Sequence, residues 1–379
     1  MQSLLAHAAA GRRQFARLLV AWFRKSMRPL PWRGDYAPYA VWISEVMLQQ
    51  TQMERGVQYF RRWMERFPSI AHVAEATEEE ILKAWEGLGY YARARKLHAA
   101  AKCVMTEHGG VFPEDIQAIR ALPGIGPYTA GAIASLAFNQ PLAAVDANVT
   151  RVFARLLDID AHIGRSGVAD YIRRHVELAM PRSNAREYNQ ALMELGALVC
   201  GKTPRCGICP VAGFCEAKRL GTALSRPVTG KKTVYAHLEM ATGIVARQGR
   251  TLIQKRLPYG VWAGLWEFPG GCLEEGETPE ACVVREFWEE TELSVRVEKK
   301  IAVLRHAYTT CRVTMHAYFC SMEDSAHMPI LHSAAEFLWV TPAELARFTF
   351  PAGHRKLLEF LDKEKWHSAR TYGLEKMDT

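Results

Sequence analysis

Two carboxylates of the chain stand in surroundings that suit complementary roles. Glu45 lies among apolar residues of an amphipathic helix, where partial burial would raise its pKa and equip it to donate a proton. Asp146 directly precedes a helix, where an aspartate is ordinarily an N-cap and could also face a cationic sugar centre. A proton donor beside an anion is the pair that cleaves glycosidic bonds. The alternatives are a solvated surface glutamate and a plain helix cap.

Four of the nine cysteines lie close together and offer a second kind of chemistry. Cys200, Cys206, Cys209 and Cys215 follow the spacing C-x5-C-x2-C-x5-C, and the other five are scattered, which does not fit a disulfide framework. Such closely spaced thiolates favour an iron–sulfur cluster. Zinc is the alternative, although zinc sites usually combine two C-x2-C pairs and this segment has one.

A glycine-containing turn precedes a helix at residues 122–132. Gly124 and Gly126 let a DNA backbone come close, and the turn exposes N–H groups that can bind a phosphate oxygen. A plain connection between two helices is the alternative reading.

The length of 379 residues suggests two domains, and the charge is divided unequally between them. Residues 1–225 hold 28 Lys and Arg against 20 Asp and Glu, whereas the remainder holds 20 of each, so the net charge of +8 lies in the first part. Such an excess favours a polyanion such as nucleic acid. No apolar run reaches the roughly 20 residues that span a bilayer, and no signal-peptide core precedes the first arginines, so a soluble cytoplasmic protein without membrane contact is expected.

The spacing of apolar residues along the sequence changes near residue 230. From Gln14 to Ala217 apolar residues recur at helical spacing between short turns, which predicts an all-α region. After Val234 alternating β-branched runs surround one helix at Pro279–Thr291, which predicts an α+β region. The predicted parts are a helical domain (1–225) with a hairpin (about 118–138) and a cysteine loop (200–215), a linker (226–233) and a second domain (234–365).

Taken together, the cysteine loop, the hairpin and Asp146 resemble the endonuclease III family of helix-hairpin-helix DNA glycosylases. The family's cysteine spacing is C-x6-C-x2-C-x5-C, so one residue is missing from the first interval here. Members that also cut the strand carry a lysine just after the hairpin, where this chain has Tyr128. Without that amine no Schiff base is expected there, so the resemblance implies base release without efficient strand cleavage.

The runs 30–33 and 41–51 are similar to the MutY family of adenine glycosylases within this superfamily. The resemblance implies that Glu45 protonates adenine, that Asp146 stabilises the sugar cation with Asn148 as its helper, and that Gln50 and Tyr90 fill the gap left by a flipped nucleotide. Core packing is the alternative for Trp32 and Tyr90. The other residues that this resemblance places at the base pocket or the DNA are Arg28, Trp32, Arg33, Leu48, Thr51 and Gln190.

The partners implied by the resemblance are double-stranded DNA carrying adenine opposite 8-oxoguanine or guanine, and a [4Fe-4S] cluster on the four cysteines. The expected location is bacterial-type cytoplasm, with the protein associated with the nucleoid because its substrate is DNA. A monomer is the simplest expectation, and no sequence motif points to a protein partner.

The second region resembles the Nudix-like domain with which MutY proteins recognise 8-oxoguanine. Glu286, Glu289 and Glu290 fall on one helix face within an almost complete Nudix box, where carboxylates could hold Mg²⁺ beside a diphosphate. A solvated acidic helix is the alternative, and Glu292 stands where the box has a glycine that normally helps to end the helix.

The resemblance places the lesion-reading loop at residues 306–310. Tyr308 and Thr309 keep the family's aromatic and hydroxyl groups, but the family's histidine is replaced by Thr310. Thr309 is expected to donate a hydrogen bond to the lesion.

Three other functions remain open at the level of sequence. A bifunctional glycosylase and lyase is opposed by Tyr128, and a lesion-binding protein without catalysis is opposed by Glu45 and Asp146. A Nudix hydrolase of oxidised nucleotides would depend on the acidic helix.

Overall fold

A computed structural model describes residues 9–230, 235–308 and 311–364. The chain divides into two compact units, one comprising Met1–Ile81 and Ala92–Lys231, the other comprising Leu82–Tyr91 and Lys232–Thr379. Ten residues in the helical region therefore cluster with the second unit, which a division into consecutive ranges does not anticipate. The predicted domain ranges stay a prediction.

The region before residue 230 is helical, as predicted. Apolar residues at helical spacing bury one face of most longer helices, and glycines, prolines and N-cap residues separate the helices. The helices Pro38–Leu48 and Pro127–Leu136 are instead buried along almost their whole length, so the helix that carries Glu45 is not amphipathic as expected. The helices are α1 (Ala9–Ser26), α2 (Pro38–Leu48), α3 (Met53–Arg66), α4 (Ile70–Glu75), α5 (Glu78–Trp85), α6 (Tyr91–Glu107), α7 (Ile116–Ala121), α8 (Pro127–Leu136), α9 (Ala147–Leu156), α10 (Val168–Ala179), α11 (Ala185–Leu198) and α12 (Glu216–Leu220).

The helical core forms where α1, α9, α10 and α11 meet. Phe15, Phe153 and Tyr188 are fully buried there, and the ring of Phe15 lies edge-on to both of the others. This packing fixes the start of α9, which carries Asp146, against α11.

The predicted hairpin joins α7 to α8. Asp115 caps α7 by accepting hydrogen bonds from two backbone N–H groups, and Pro127 occupies the first turn of α8, where its missing N–H is not needed. Between them Gly124 adopts a φ of 80°, which favours glycine.

The second unit is built on a mixed sheet. The strands are β1 (Ala236–Arg247), β2 (Arg250–Arg256), β3 (Trp266–Glu267), β4 (Gly270–Cys272), β5 (Val295–Tyr308), β6 (Cys311–Met322) and β7 (Ala334–Val340). The strand order is β3-β2-β1-β6-β5, with β7 beside β2. Strand β1 pairs in parallel with β6 and antiparallel with β2 and β4.

Two helices complete the second unit, each within a separate hydrophobic cluster. Helix α13 (Pro279–Thr291) buries Val283 and Phe287 in one cluster, and α14 (Ala352–Lys363) buries Leu357 and Leu361 in the other. Helix α13 has the predicted bounds, and the predicted fold class, an all-α region followed by an α+β region, is confirmed. No helix in the described ranges is long and apolar enough to span a bilayer.

Glu292, the residue that departs from the Nudix box, is the C-cap of helix α13. Glu292 adopts a left-handed conformation with φ 55°, so it takes the backbone geometry that glycine would provide. One of its carboxylate oxygens lies 2.7 Å from Nε2 of His332.

Candidate active site

A pocket of about 450 Å³ in the first unit brings most of the predicted site residues together. It lies among α2, α8, the start of α9 and α11, with the 3-10 turn Pro31–Arg33 at one side. Predicted residues that line it are Arg28, Trp32, Arg33, Glu45, Leu48, Gln50, Thr51, Tyr128, Asp146, Asn148 and Gln190.

Glu45 is buried in this pocket, with only 7% of its surface exposed. Burial raises its pKa to about 7, and the charge of Asp146 adds to that rise. The hydroxyl of Tyr128 donates a 2.8 Å hydrogen bond to Oε2 of Glu45, and this bond and the charge of Arg33 oppose the rise. A carboxyl with a pKa near neutrality is half protonated at pH 7 and can act as an acid.

Asp146 is the N-cap of α9. Its Oδ1 accepts from the backbone N–H of Val149 at 2.7 Å, and its Oδ2 accepts from Nδ2 of Asn148 at 2.8 Å. The helix dipole also places partial positive charge at this end of α9. These contacts suit a carboxylate anion, and Asn148 lies where a helper of Asp146 was expected.

Two glycines let the neighbouring helices approach Asp146 closely. A Cβ on Gly196 of α11 would lie 2.6 Å from Cβ of Asn148, and one on Gly131 of α8 would lie 2.4 Å from the carbonyl oxygen of Ala143. Neither contact is tolerable, so glycine is required for the observed separation.

Glu194 is a buried charge that the sequence did not single out. Its side chain is 1% exposed and accepts hydrogen bonds from Arg28 at 2.9 Å and from Arg33 at 2.7 Å. These pairs fix both arginines at the pocket wall. Glu194 lies four residues after Gln190 on α11, so helical spacing from a predicted pocket residue could have indicated it.

The other lining residues differ in exposure. Trp32 is 6% exposed and packs edge-on against Phe60 at 5.1 Å, so it belongs both to the core and to the pocket wall. Gln190 is buried and donates to the hydroxyl of Tyr36 at 3.2 Å. Gln50 is exposed, with a φ of 56°, at the turn that follows α2.

Three predicted DNA-contacting residues from the part of the chain before residue 230 do not line the pocket. Gly124 and Gly126 lie in the hairpin, where Gly126 has open space on its Cβ side and a Cβ on Gly124 would meet Lys96 at 2.7 Å. Tyr90 belongs to the second unit, is 38% exposed and has a φ of 51°.

The four clustered cysteines line one small pocket, with a cavity volume of about 20 Å³, between α9, α11 and α12. Among the residues that the structure describes, no three of these sulfurs lie within 4.8 Å of one another. A single tetrahedral zinc would hold them about 3.8 Å apart, given Zn–S bonds of about 2.3 Å. The described sulfurs are therefore not gathered as closely as a single bound zinc would hold them.

Two arginines of α9 hold the cysteine loop. Arg155 is 2% exposed and donates to the carbonyl oxygens of Cys200, Gly201 and Lys202 and, at 3.3 Å, to Sγ of Cys200. Arg151 donates at 2.8 Å to the carbonyl oxygen of Cys200 and to Oδ1 of Asn148. The guanidinium of Arg151 thus binds both the cysteine loop and Asn148.

The acidic helix of the second unit is engaged by an arginine. Nη1 of Arg285 donates to Glu286 at 3.1 Å and to Glu289 at 2.9 Å. Glu290 accepts from Nε2 of Gln254 and from the backbone of Gly270. Within the described ranges the carboxylates of Glu286, Glu289 and Glu290 do not bring their oxygens within 4.8 Å of one another. In the described residues, these three carboxylates therefore do not form a ready-made set of ligands for the predicted Mg²⁺.

The predicted lesion-reading residues fall at the end of β5. Tyr308 is the last residue of that strand and pairs with Cys311 of β6. Thr309 and Thr310 lie outside the described residues.

Two family models match the chain, one for each kind of architecture. Residues 43–177 match the model described as HhH-GPD superfamily base excision DNA repair protein. Residues 241–360 match the model described as NUDIX domain. The pocket of the first unit and the sheet of the second therefore define a helix-hairpin-helix base excision repair protein with a Nudix domain.

Curated relatives narrow this class. An adenine DNA glycosylase of Rattus norvegicus is 31% identical over 93% of this chain and 78% of its own length. The adenine DNA glycosylase of Buchnera aphidicola is 33% identical over 67% of this chain and 74% of its own length. The adenine DNA glycosylase of Mycobacterium tuberculosis is 42% identical over 54% of this chain and 67% of its own length. The chain belongs to the adenine DNA glycosylase family, and it is a DNA glycosylase of base excision repair.

Proposed function

We propose that the protein hydrolyses the N-glycosidic bond of adenine mispaired with 8-oxoguanine or guanine in double-stranded DNA, without cutting the strand. The observation that carries this proposal is the buried Glu45, with a pKa of about 7, in the same pocket as Asp146. Adenine inside a duplex cannot reach this pocket, so the nucleotide is flipped out first.

In the proposed reaction Glu45 is the general acid. Tyr128 donates to Oε2, which orients the carboxyl and leaves Oε1 to carry the proton toward the base. Protonation lets the bond electrons leave with adenine. The carboxylate of Asp146, held by Asn148 and Val149, stabilises the positive sugar, and water completes the hydrolysis.

The absence of strand cleavage follows from Tyr128. Burial raises the pKa of its hydroxyl well above the usual value, so the group stays neutral and serves as a hydrogen-bond donor. A phenol at this position cannot form the Schiff base that a lysine would form with the sugar.

DNA contacts are proposed at three places. The hairpin at Gly124 and Gly126 precedes the N-terminus of α8 and suits a backbone phosphate. Gln50 and Tyr90, both exposed and both in left-handed conformations, fill the gap left by the flipped nucleotide. Tyr308 and Thr309 read the opposite base, as the family resemblance implies.

A [4Fe-4S] cluster is proposed on Cys200, Cys206, Cys209 and Cys215. The shared pocket of the four cysteines and their single C-x2-C pair support it over zinc, and Arg155 holds the loop that carries them. The cluster would shape the loop, and no step of the reaction uses it. We expect about four iron atoms and no stoichiometric zinc in the purified protein by elemental analysis, and a Cys206→Ser variant should lose the cluster's visible absorption.

Single-turnover adenine release tests the proposal. Duplexes with adenine opposite 8-oxoguanine, guanine or thymine are incubated with the enzyme, and alkali then reveals abasic sites. We expect release from both mispairs, little from the thymine pair, and no cleavage before alkali. The Glu45→Gln variant should slow release by about 10²- to 10⁴-fold because the proton donor is gone.

Glu54→Gln is the matched control, since Glu54 is exposed in the first turn of α3. Unchanged release by Glu45→Gln would defeat the catalytic assignment. Strand cleavage without alkali would instead revive a bifunctional enzyme.

A further inference from the structure

A half-buried ion pair holds the ten-residue segment Leu82–Tyr91 within the second unit. The Glu86 side chain is 14% exposed, and its Oε1 accepts from Nε of Arg355 at 3.0 Å and from Nη2 at 2.5 Å. The same oxygen accepts from the backbone N–H of Phe350 at 2.9 Å. One carboxylate therefore fastens the segment to both the start of α14 and the chain that leads into it.

Further contacts reinforce this attachment. Lys83 donates from Nζ to Oε2 of Glu86 and to the carbonyl oxygen of Phe348, both at 2.8 Å. The hydroxyl of Tyr91 donates to the carbonyl oxygen of Phe350 at 3.3 Å. Arg355 also donates to the carbonyl oxygen of Phe348 at 2.9 Å. The segment is thus held at both of its ends.

Tyr90 occupies a strained position inside this segment. Gly87, Gly89 and Tyr90 have φ values of 93°, 73° and 51°, and the last is unusual for a bulky residue. Such a conformation persists only where the surroundings hold it. Glu86 lies four residues before Tyr90, at the base of the turn that presents the exposed ring.

Helix α14 is a support shared by this turn and by strand β5. Arg355 contacts Glu86, and the next residue, Lys356, donates from Nζ to the carbonyl oxygen of Arg305 at 3.0 Å. Arg305 lies three residues before Tyr308, where β5 ends. Neighbouring side chains of one helix therefore fix both the Tyr90 turn and the strand that leads into the lesion-reading loop.

We propose that Arg355 and Glu86 are positioning residues that hold Tyr90 in register with the end of β5, and so determine selectivity for 8-oxoguanine over guanine opposite adenine. This inference rests on the proposed function, in which Tyr90 and Tyr308 contact the mispair. Neither Arg355 nor Glu86 lines the adenine pocket.

Single-turnover rates on adenine:8-oxoguanine and adenine:guanine duplexes test the proposal. For Arg355→Gln and for Glu86→Gln we expect the ratio of the two rates to fall about tenfold, with a nearly unchanged adenine:guanine rate. The double variant should fall no further, because the two side chains act as a pair. In a Tyr90→Ala background, Arg355→Gln should have no additional effect on the ratio.

Arg296→Gln is the matched control, since Arg296 forms an exposed ion pair with Glu298 in the same unit. A preserved ratio in Arg355→Gln would overturn the inference, as would an equal fall of both rates, which would indicate a merely structural role. If the wild-type enzyme itself released adenine without regard to the opposite base, the proposed function would fail instead.

Discussion

Glu45 and Asp146 are both carboxylates, and their surroundings separate their roles. Glu45 lies inside α2 among buried residues, so its protonated form is favoured near neutral pH. Asp146 lies at a helix start where backbone and amide N–H groups point at it. The fold thus places two carboxyl groups with different surroundings in one pocket, which is the arrangement that the proposed reaction needs.

The pKa of Glu45 predicts how activity depends on pH. Because the protonated form is the donor, the rate should fall as pH rises through about 7, approaching tenfold per unit at higher pH. Tyr128→Phe removes a hydrogen bond that lowers this pKa, so the decline should move to higher pH. Single-turnover rates from about pH 5.5 to 9 measure both profiles. A shift of the variant's decline to lower pH would contradict this account of the Tyr128–Glu45 contact.

Helices α8 and α11 position Asp146 through close approach, which makes their glycines sensitive. In Gly196→Ala the new Cβ would lie 2.6 Å from Cβ of Asn148, and overpacking of this kind costs about 1–3 kcal/mol. Alanine's better helix propensity returns up to about 1 kcal/mol, so a net loss of stability is expected. Displacement of Asp146 by about 1 Å should also slow adenine release by about 10²-fold.

Thermal unfolding and single-turnover release measure the two effects of Gly196→Ala. Gly213→Ala is the control, because its Cβ would enter open space. Retention of both stability and rate in Gly196→Ala would mean that α11 can move away from α9 without cost.

Elements were more predictable from sequence than the contacts between them. Helix α13 begins at Pro279 after a capping threonine, and its start, its end and its apolar face are all local signals. The two arginines paired with Glu194 were recognised by resemblance, but their partner lies more than 160 residues away, and no local pattern encodes that pairing. The ion pair between Glu86 and Arg355 was missed for the same reason.

At the scale of the whole molecule, the charge is concentrated in the residues before the second region. Residues 1–225 carry the entire net charge of +8, which would attract DNA and release its counterions. If the protein neutralises about two DNA phosphates, its affinity for DNA should fall about tenfold between roughly 50 and 200 mM salt. Fluorescence anisotropy with an undamaged duplex measures this dependence.

Lys96 is a specific candidate for one of these phosphate contacts. It is exposed and lies against Gly124 in the hairpin. Lys96→Gln should therefore weaken binding and reduce the salt slope by about 1, whereas Lys363→Gln in α14 should leave it unchanged. Equal slopes for the two variants would place the phosphate contact elsewhere.

The attachment of Leu82–Tyr91 to the second unit also affects the order in which the protein acquires its structure during synthesis. Glu86 leaves the ribosome 269 residues before Arg355, its partner. At translation rates of about 5–20 residues per second, this separation corresponds to roughly 13–54 s. Once translation has passed Ala197, the nascent helical region contains its described pocket and hairpin residues, but the turn that carries Tyr90 still lacks the helix that holds it. In the proposed function, the residues for base removal are therefore translated before the helix that completes the parts for choosing the base, which is α14.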